Sequence, residues 1–365
     1  MRSPYAAGLT PERSAKSKAI RHCLAGCAVA LLTHSPALAQ SPPERLDLAL
    51  PTDNDALFRG NGPEFYQYIQ RDYQGVQSTP WEGGQYGFVR DPIDTPAGTV
   101  YTRFHEGIDI RPLQRDEKGE PIDPVRAIAA GAVVHTNLVA GHSNYGRYVV
   151  VEHQWGGCKY YSLYGHLNTI QVHIGQRVQQ REQLGVMGHT GTGLDRVRAH
   201  LHLELNLMLS THFESWHDSL FKNDPNQNGL YNGINLMGID IARLYLALRD
   251  RPTLTIPQFL SEEETLYRVL LPNSPHFDLL SSYPWMLSQK NAGTPVSWEV
   301  SFNRAGVPLK IAPGGKEARG PQLSYLKPSE VETSSLTRGQ ISGRGPTAHL
   351  TEKGKNFARL LIYPD

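Results

Sequence analysis

Apolar and polar positions alternate most cleanly along Arg198-Ala199-His200-Leu201-His202-Leu203-Glu204-Leu205. This period-2 pattern predicts a half-buried strand, with Leu201, Leu203 and Leu205 facing a core and His200, His202 and Glu204 sharing the opposite face. Same-face neighbours on a strand lie roughly 6.5–7 Å apart at Cα, so one imidazole can bind a metal while the other addresses the metal's water or substrate. Taken alone, such a pair on a strand is more often just two solvated histidines. Further short strands are predicted over 145–153, 159–167, 174–178 and 183–188, with a strand pair over 124–135 turning at Gly131. Helical spacing is rarer. Asn61-Gly62-Pro63-Glu64 opens a short helix carrying Phe65, Tyr68, Ile69 and Tyr73, and Ile241, Leu244, Tyr245 and Leu248 follow i, i+3, i+4, i+7 up to Pro252. Beyond it, strands are predicted over 266–271, 297–302, 307–311 and 358–363, a small β extension of sandwich type.

The chain divides accordingly. Residues 1–39 read as a secretory signal: Arg13, Lys16, Lys18 and Arg21 precede the apolar run 23–32, and Ala37-Leu38-Ala39 gives the small-x-small cleavage pattern before Gln40. Leu24-Ala25-Gly26-Cys27 resembles a lipoprotein site, but its apolar run follows the cysteine instead of preceding it, so lipidation at Cys27 is the weaker reading. Residues 40–80 form an arm with the short helix, 81–215 a β-rich domain, 216–252 a connection with the amphipathic helix, and 253–365 the β extension. Asp224-Pro225-Asn226-Gln227-Asn228-Gly229 begins like a calcium loop, but its twelfth position is Asn235 where a glutamate is needed, so an Asx-rich turn is expected.

Removal of the signal leaves 31 basic against 34 acidic residues, a formal charge of −3, which gives no footprint for nucleic acid or an anionic membrane. No apolar run in the mature chain is long enough to span a bilayer. Cys158 alone remains, so no internal disulfide forms and a packed thiol is expected.

Arg103-Phe104-His105-Glu106-Gly107-Ile108-Asp109-Ile110 is the second chemical stretch. A helical zinc motif is excluded by Asp109 at the fifth position and by Gly107, Ile108 and Ile110. On a straight strand His105 and Asp109 would stand about 13 Å apart. Shared ligation therefore requires a bend, and Gly107 is the residue that permits one.

His-x-Gly-x-Asp at 105–109, Tyr-x-His-Leu at 164–167 and His-Leu-His-x-Glu at 200–204 occur in that order, with Gly175-Gln176-Arg177-Val178 and Leu184-Gly185-Val186-Met187-Gly188 between. Over residues 81–208 the chain resembles the lysostaphin-type zinc metalloendopeptidases that cut peptidoglycan peptides. The resemblance implies a mainly β fold, an antiparallel β-sheet metallopeptidase domain, here followed by the smaller C-terminal β extension. It implies one Zn²⁺ per chain held by His105, Asp109 and His202, with His166 and His200 as catalytic histidines. Two imidazoles and a carboxylate suit zinc and leave a fourth position for water. His200 is read as base and His166 as stabiliser, although the sequence leaves the pair interchangeable. Glu204 is a candidate to orient an imidazole from behind, or simply a packing residue.

The chain departs from the family in having Ala199 where a proline is usual, and in its long loop at 111–123. The expected activity is exported, periplasmic or secreted hydrolysis of stem-peptide or cross-bridge bonds. The alternative is a non-catalytic wall protein that activates another hydrolase, for which loss of one of the five residues would be expected. Which bond is cut, and whether a regulatory partner exists, is not written in the sequence.

Overall fold

The computed structural model describes residues 45–289 and 294–364, so the signal segment with Cys23 and Cys27 lies outside the described residues. The main sheet is antiparallel throughout. Its strands run in the order Arg177–Val178, Gly131–Asn137, Tyr148–Trp155, Cys158–Gly165, Leu201–Met208 and Leu236–Ile239, and Ile108–Ile110 pairs with the first residues of Leu201–Met208. Val149, Val150 and Val151 are fully buried, as suits β-branched residues on a strand covered on both sides.

Leu201–Met208 is paired along both edges, and the expected half-burial is corrected: all eight residues are buried. The leucine face packs into the main core. Toward the C-terminal end of the strand the polar face runs into a second apolar cluster. There Tyr148, Val150, Tyr161, Leu163, Met208 and Leu236 are covered by Leu230 and Tyr231. Residues 209–235 contain the helix Phe213–Leu220, with Phe213 and Trp216 buried, and the segment that closes over this face. Within it Asn226 Oδ1 accepts from the Asn228 amide at 3.1 Å, an Asx turn, and buried Asn235 donates to the carbonyls of Ser210 and Leu230.

Three local expectations are overturned. The helix Gly62–Phe65 lasts a single turn because Tyr66 and Gln67 turn extended beside Ile110 and Asp109, where Gln67 N donates to Asp109 O at 2.8 Å. Gly131 starts a strand and is not a hairpin turn. Pro124–Arg126 belongs to a separate three-stranded sheet with Gln183–Val186 and Thr169–Ile170. The apolar 358–363 stretch is no strand. Thr351 caps the helix Glu352–Leu360 by accepting from the Gly354 amide, and Phe357, Leu360 and Leu361 fall at helical spacing.

The C-terminal extension contains one four-stranded antiparallel sheet, not a sandwich, in the order Pro308–Pro313, Ser297–Phe302, Tyr267–Pro272, Gln322–Leu326. The helix Ile241–Asp250, capped by Asp240, precedes it and ends before Pro252, as its spacing predicts. One apolar core joins Ile108, Leu203 and Leu205 of the main sheet to Phe213, Val269, Phe302 and Leu361. Cys158 is a buried free thiol. Among the described residues no helix is long and apolar enough to cross a membrane.

Candidate metal centre

Strand register assembles the site. His202 stands opposite Asp109 on one side and Gly165 on the other, so the residue after Gly165, His166, arrives beside it. His105 ends the strand Gly98–His105, and the chain bends at Glu106-Gly107 before Asp109. The bend runs against Leu201–Met208: a Cβ on Gly107 would meet Leu203 O at 2.3 Å. Glycine is needed there for close approach, not for a left-handed backbone.

His105 Nε2, His202 Nδ1 and Asp109 Oδ1 converge, with His105 and His202 3.1 Å apart and Asp109 Oδ1 3.1 and 3.0 Å from them. Among the described residues these three form the one group of such donors close enough to hold a metal ion. Their outer partners decide what they offer. His105 Nδ1 donates to Gln85 O at 2.7 Å and His202 Nε2 to Glu204 Oε1 at 2.8 Å. The two nitrogens that face each other are therefore both lone pairs, a repulsive arrangement in a buried site unless a cation lies between them. In the metal-free protein a proton serves. Burial opposes charge on His202, but hydrogen bonds to Asp109 and Glu204 outweigh it and raise its pKa to about 9. Burial lowers the pKa of His105. Burial also works against the Asp109 carboxylate, yet His105, His200 and Arg90 hold it well below the ordinary range. Ligand atoms of tetrahedral zinc at about 2.0–2.1 Å would be spaced about 3.3 Å apart, close to the spacing here. The residues fit such an ion.

His166 and His200 flank this group, their rings 4.7 Å apart. Each donates through Nδ1 to a backbone carbonyl, His166 to Thr190 at 2.8 Å and His200 to Arg198 at 2.7 Å, which leaves both Nε2 atoms as acceptors when neutral. His200 Nε2 lies 3.3 Å from Asp109 Oδ1. Burial and the neighbouring His200 and His202 keep the His166 pKa well below the usual value. His166 also takes a left-handed backbone, φ 62°, uncommon for histidine and held by its amide donating to Tyr145 O at 2.7 Å.

Glu204 backs His202. The fully buried carboxylate accepts from His202 and from Tyr145 Oη on Oε1, each at 2.8 Å, and from Asn206 Nδ2 on Oε2 at 2.9 Å. Burial opposes its charge, and these bonds keep its pKa lowered nonetheless. The structure thus brings together all six side chains singled out in the sequence. Sequence reasoning missed Tyr145 and Arg90, which reach the site from other segments, and Asn206, two residues beyond Glu204 on the same strand.

Residues 103–212 match peptidase family M23. The chain carries a lysostaphin-type M23 peptidase domain. A Vibrio cholerae protein named peptidoglycan DD-endopeptidase ShyA is 40% identical over 151 residues, 40% of this chain and 33% of that protein. A Pseudomonas aeruginosa lipoprotein NlpD/LppB homolog is 34% identical over 113 residues, 29% of this chain and 33% of that one. The chain thus spans about a third of the length of these two curated relatives. The lysostaphin catalytic domain of Staphylococcus simulans aligns at 22% identity with a TM-score of 0.25, covering 42% of this chain and 85% of that one. M23 is a metallopeptidase family, and the matched residues contain both ligand stretches described above.

Proposed function

We propose that this chain is an exported zinc endopeptidase that hydrolyses peptide bonds in the stem peptides or cross-bridges of peptidoglycan. The observation that carries the reading is the convergence of His105 Nε2, His202 Nδ1 and Asp109 Oδ1 within 3.1 Å of one another, with the imidazoles of His166 and His200 beside them. His105, Asp109 and His202 would hold the zinc. When bound, zinc lowers the pKa of a water ligand to about 7 and polarises a carbonyl.

The protein supplies the proton handling. His200, fixed by Arg198 O, is the base that takes a proton at Nε2. His166, fixed by Thr190 O and by its amide bond to Tyr145 O, presents Nε2 to the developing oxyanion or the leaving amine. Peptidoglycan as substrate is supported by the family and by the name of the Vibrio relative, and export by the basic, apolar and Ala-x-Ala pattern of residues 1–39.

The test is digestion of purified peptidoglycan by the purified chain, with mass analysis of released fragments and with His200→Ala and a chelator as controls. New peptide termini that vanish in both controls are expected. Metal bound with no bond broken on several wall types would overturn the catalytic reading in favour of the non-catalytic activator.

A further inference from the structure

Arg90 lies outside the residues matched to the family and bears no motif, yet its guanidinium reaches the centre. Nη2 lies 2.6 Å from Asp109 Oδ2, with both side chains largely shielded from solvent. Oδ1 of the same carboxylate faces His105, His202 and His200 at 3.0–3.3 Å. The two oxygens therefore have separate partners. The same guanidinium donates through Nε to Gly83 O at 2.8 Å, in the turn Trp81–Gly84, and the next residue, Gln85, supplies the carbonyl that orients His105. One side chain thus braces two of the three converging donors.

The backbone around Arg90 is shaped for this reach. Pairing of Gly87–Thr95 with Gly98–His105 slips at Val89, where Phe88 faces Phe104 but Arg90 faces Arg103. Such a bulge re-aims a side chain. Asp91, next along, is left-handed at φ 54°, and the displaced Val89 carbonyl is caught by Arg71 Nη2 at 3.1 Å. These irregularities stand in a hairpin that is otherwise regularly paired.

We propose that Arg90 is a positioning residue of the metal centre: by occupying Asp109 Oδ2 it restricts the carboxylate to a single donor oxygen, and by holding the Trp81–Gly84 turn it keeps His105 aimed. The inference rests on the zinc reading above. Its chemical consequence is coordination number. A carboxylate with both oxygens free can close on a metal with both, filling the position that a catalytic zinc site keeps for water. Arg90 prevents that closure.

The test loads the full chain with Co²⁺ as a spectroscopic probe for zinc and compares the parent with Arg90→Gln and Arg90→Lys. Four-coordinate Co²⁺ absorbs far more strongly in the visible than five- or six-coordinate Co²⁺. The parent should show the strong band. Arg90→Gln should lose it severalfold, with Co²⁺ affinity reduced about tenfold. Arg90→Lys can reach one acceptor but not both, keeps the charge and the packing, and should fall between. Unchanged band intensity and affinity in both variants would overturn the proposal, even if their metal-free forms melt earlier, because a purely structural brace would give that result. A parent chain with no visible band at all would overturn the zinc reading itself, and the proposal with it.

Discussion

Glu204→Gln isolates what a buried charge contributes to the proposed metal centre. The substitution keeps the shape and, in this setting, every hydrogen bond. Oε1 already accepts from both His202 and Tyr145, and a glutamine oxygen there can do the same. The new amide nitrogen would replace Oε2 opposite Asn206. Asn206 Oδ1 is buried without a partner, so its amide can rotate and accept from glutamine where it formerly donated to glutamate. Only the negative charge is lost. A hydrogen bond to a charged group is worth about 1.5–3 kcal/mol against about 0.5–1.5 for a neutral one, so His202 loses about 1–2 kcal/mol of support as a donor. At about 1.4 kcal/mol per tenfold, zinc affinity should fall roughly 5- to 30-fold, overlapping the roughly 10- to 100-fold range typical of groups behind a metal-bound histidine. Competition of the purified protein against a chromogenic chelator measures this directly, and unfolding in the presence of chelator checks that the metal-free fold is retained. An affinity equal to the parent's, in a variant that is equally stable, would refute the argument that Glu204 acts through His202.

Three more outcomes follow from the same geometry. His153 is buried between Ala130 O and Ser162 Oγ, and burial lowers its pKa to about 4. Because the folded state resists a proton that the unfolded chain accepts near pH 6.5, stability should fall as the pH drops below about 6.5, by about 2 kcal/mol between pH 7.5 and pH 5 and about 3 in the limit. Urea unfolding of the parent and of His153→Gln over that range checks it, and parallel pH curves would refute it. Gly107→Ala drives a methyl into Leu203 O. It should cost about 2 kcal/mol or more of stability and weaken zinc binding, because the bend carrying His105 and Asp109 must lift from Leu201–Met208. Ending the chain at residue 252 removes Tyr283 Oη from the Met208 amide, Asp278 from Thr211 and Asn356 O from the Trp216 indole. The truncated protein should lack a cooperative unfolding transition by circular dichroism. A sharp native-like transition would mean that 253–365 is a separable domain.

The side chains legible in the sequence are those whose chemistry repeats over short spacings. His105 and Asp109 straddle one glycine bend, while His200, His202 and Glu204 alternate with leucines on one strand, and both patterns depend on local backbone geometry alone. The strands of the main sheet were legible for the same reason. The failures have a different physics. The extended turn at Tyr66 is imposed by pairing with Ile110, 44 positions later. The 358–363 stretch has the composition of a strand but is overruled by the Thr351 cap upstream. Both faces of Leu201–Met208 are buried because distant segments cover the polar one, and no alternation within the strand encodes that. Arg90 and Tyr145 belong with these. Each acts through an acceptor from another strand, Asp109 Oδ2 or Glu204 Oε1, and neither has a neighbour in sequence that reveals it. The site divides accordingly: its converging groups lie within two short motifs, 105–109 and 200–204, whereas Arg90 and Tyr145 are recruited from other segments. Substitutions at the recruited positions should therefore tune metal affinity and coordination without erasing the motifs by which the site is recognised.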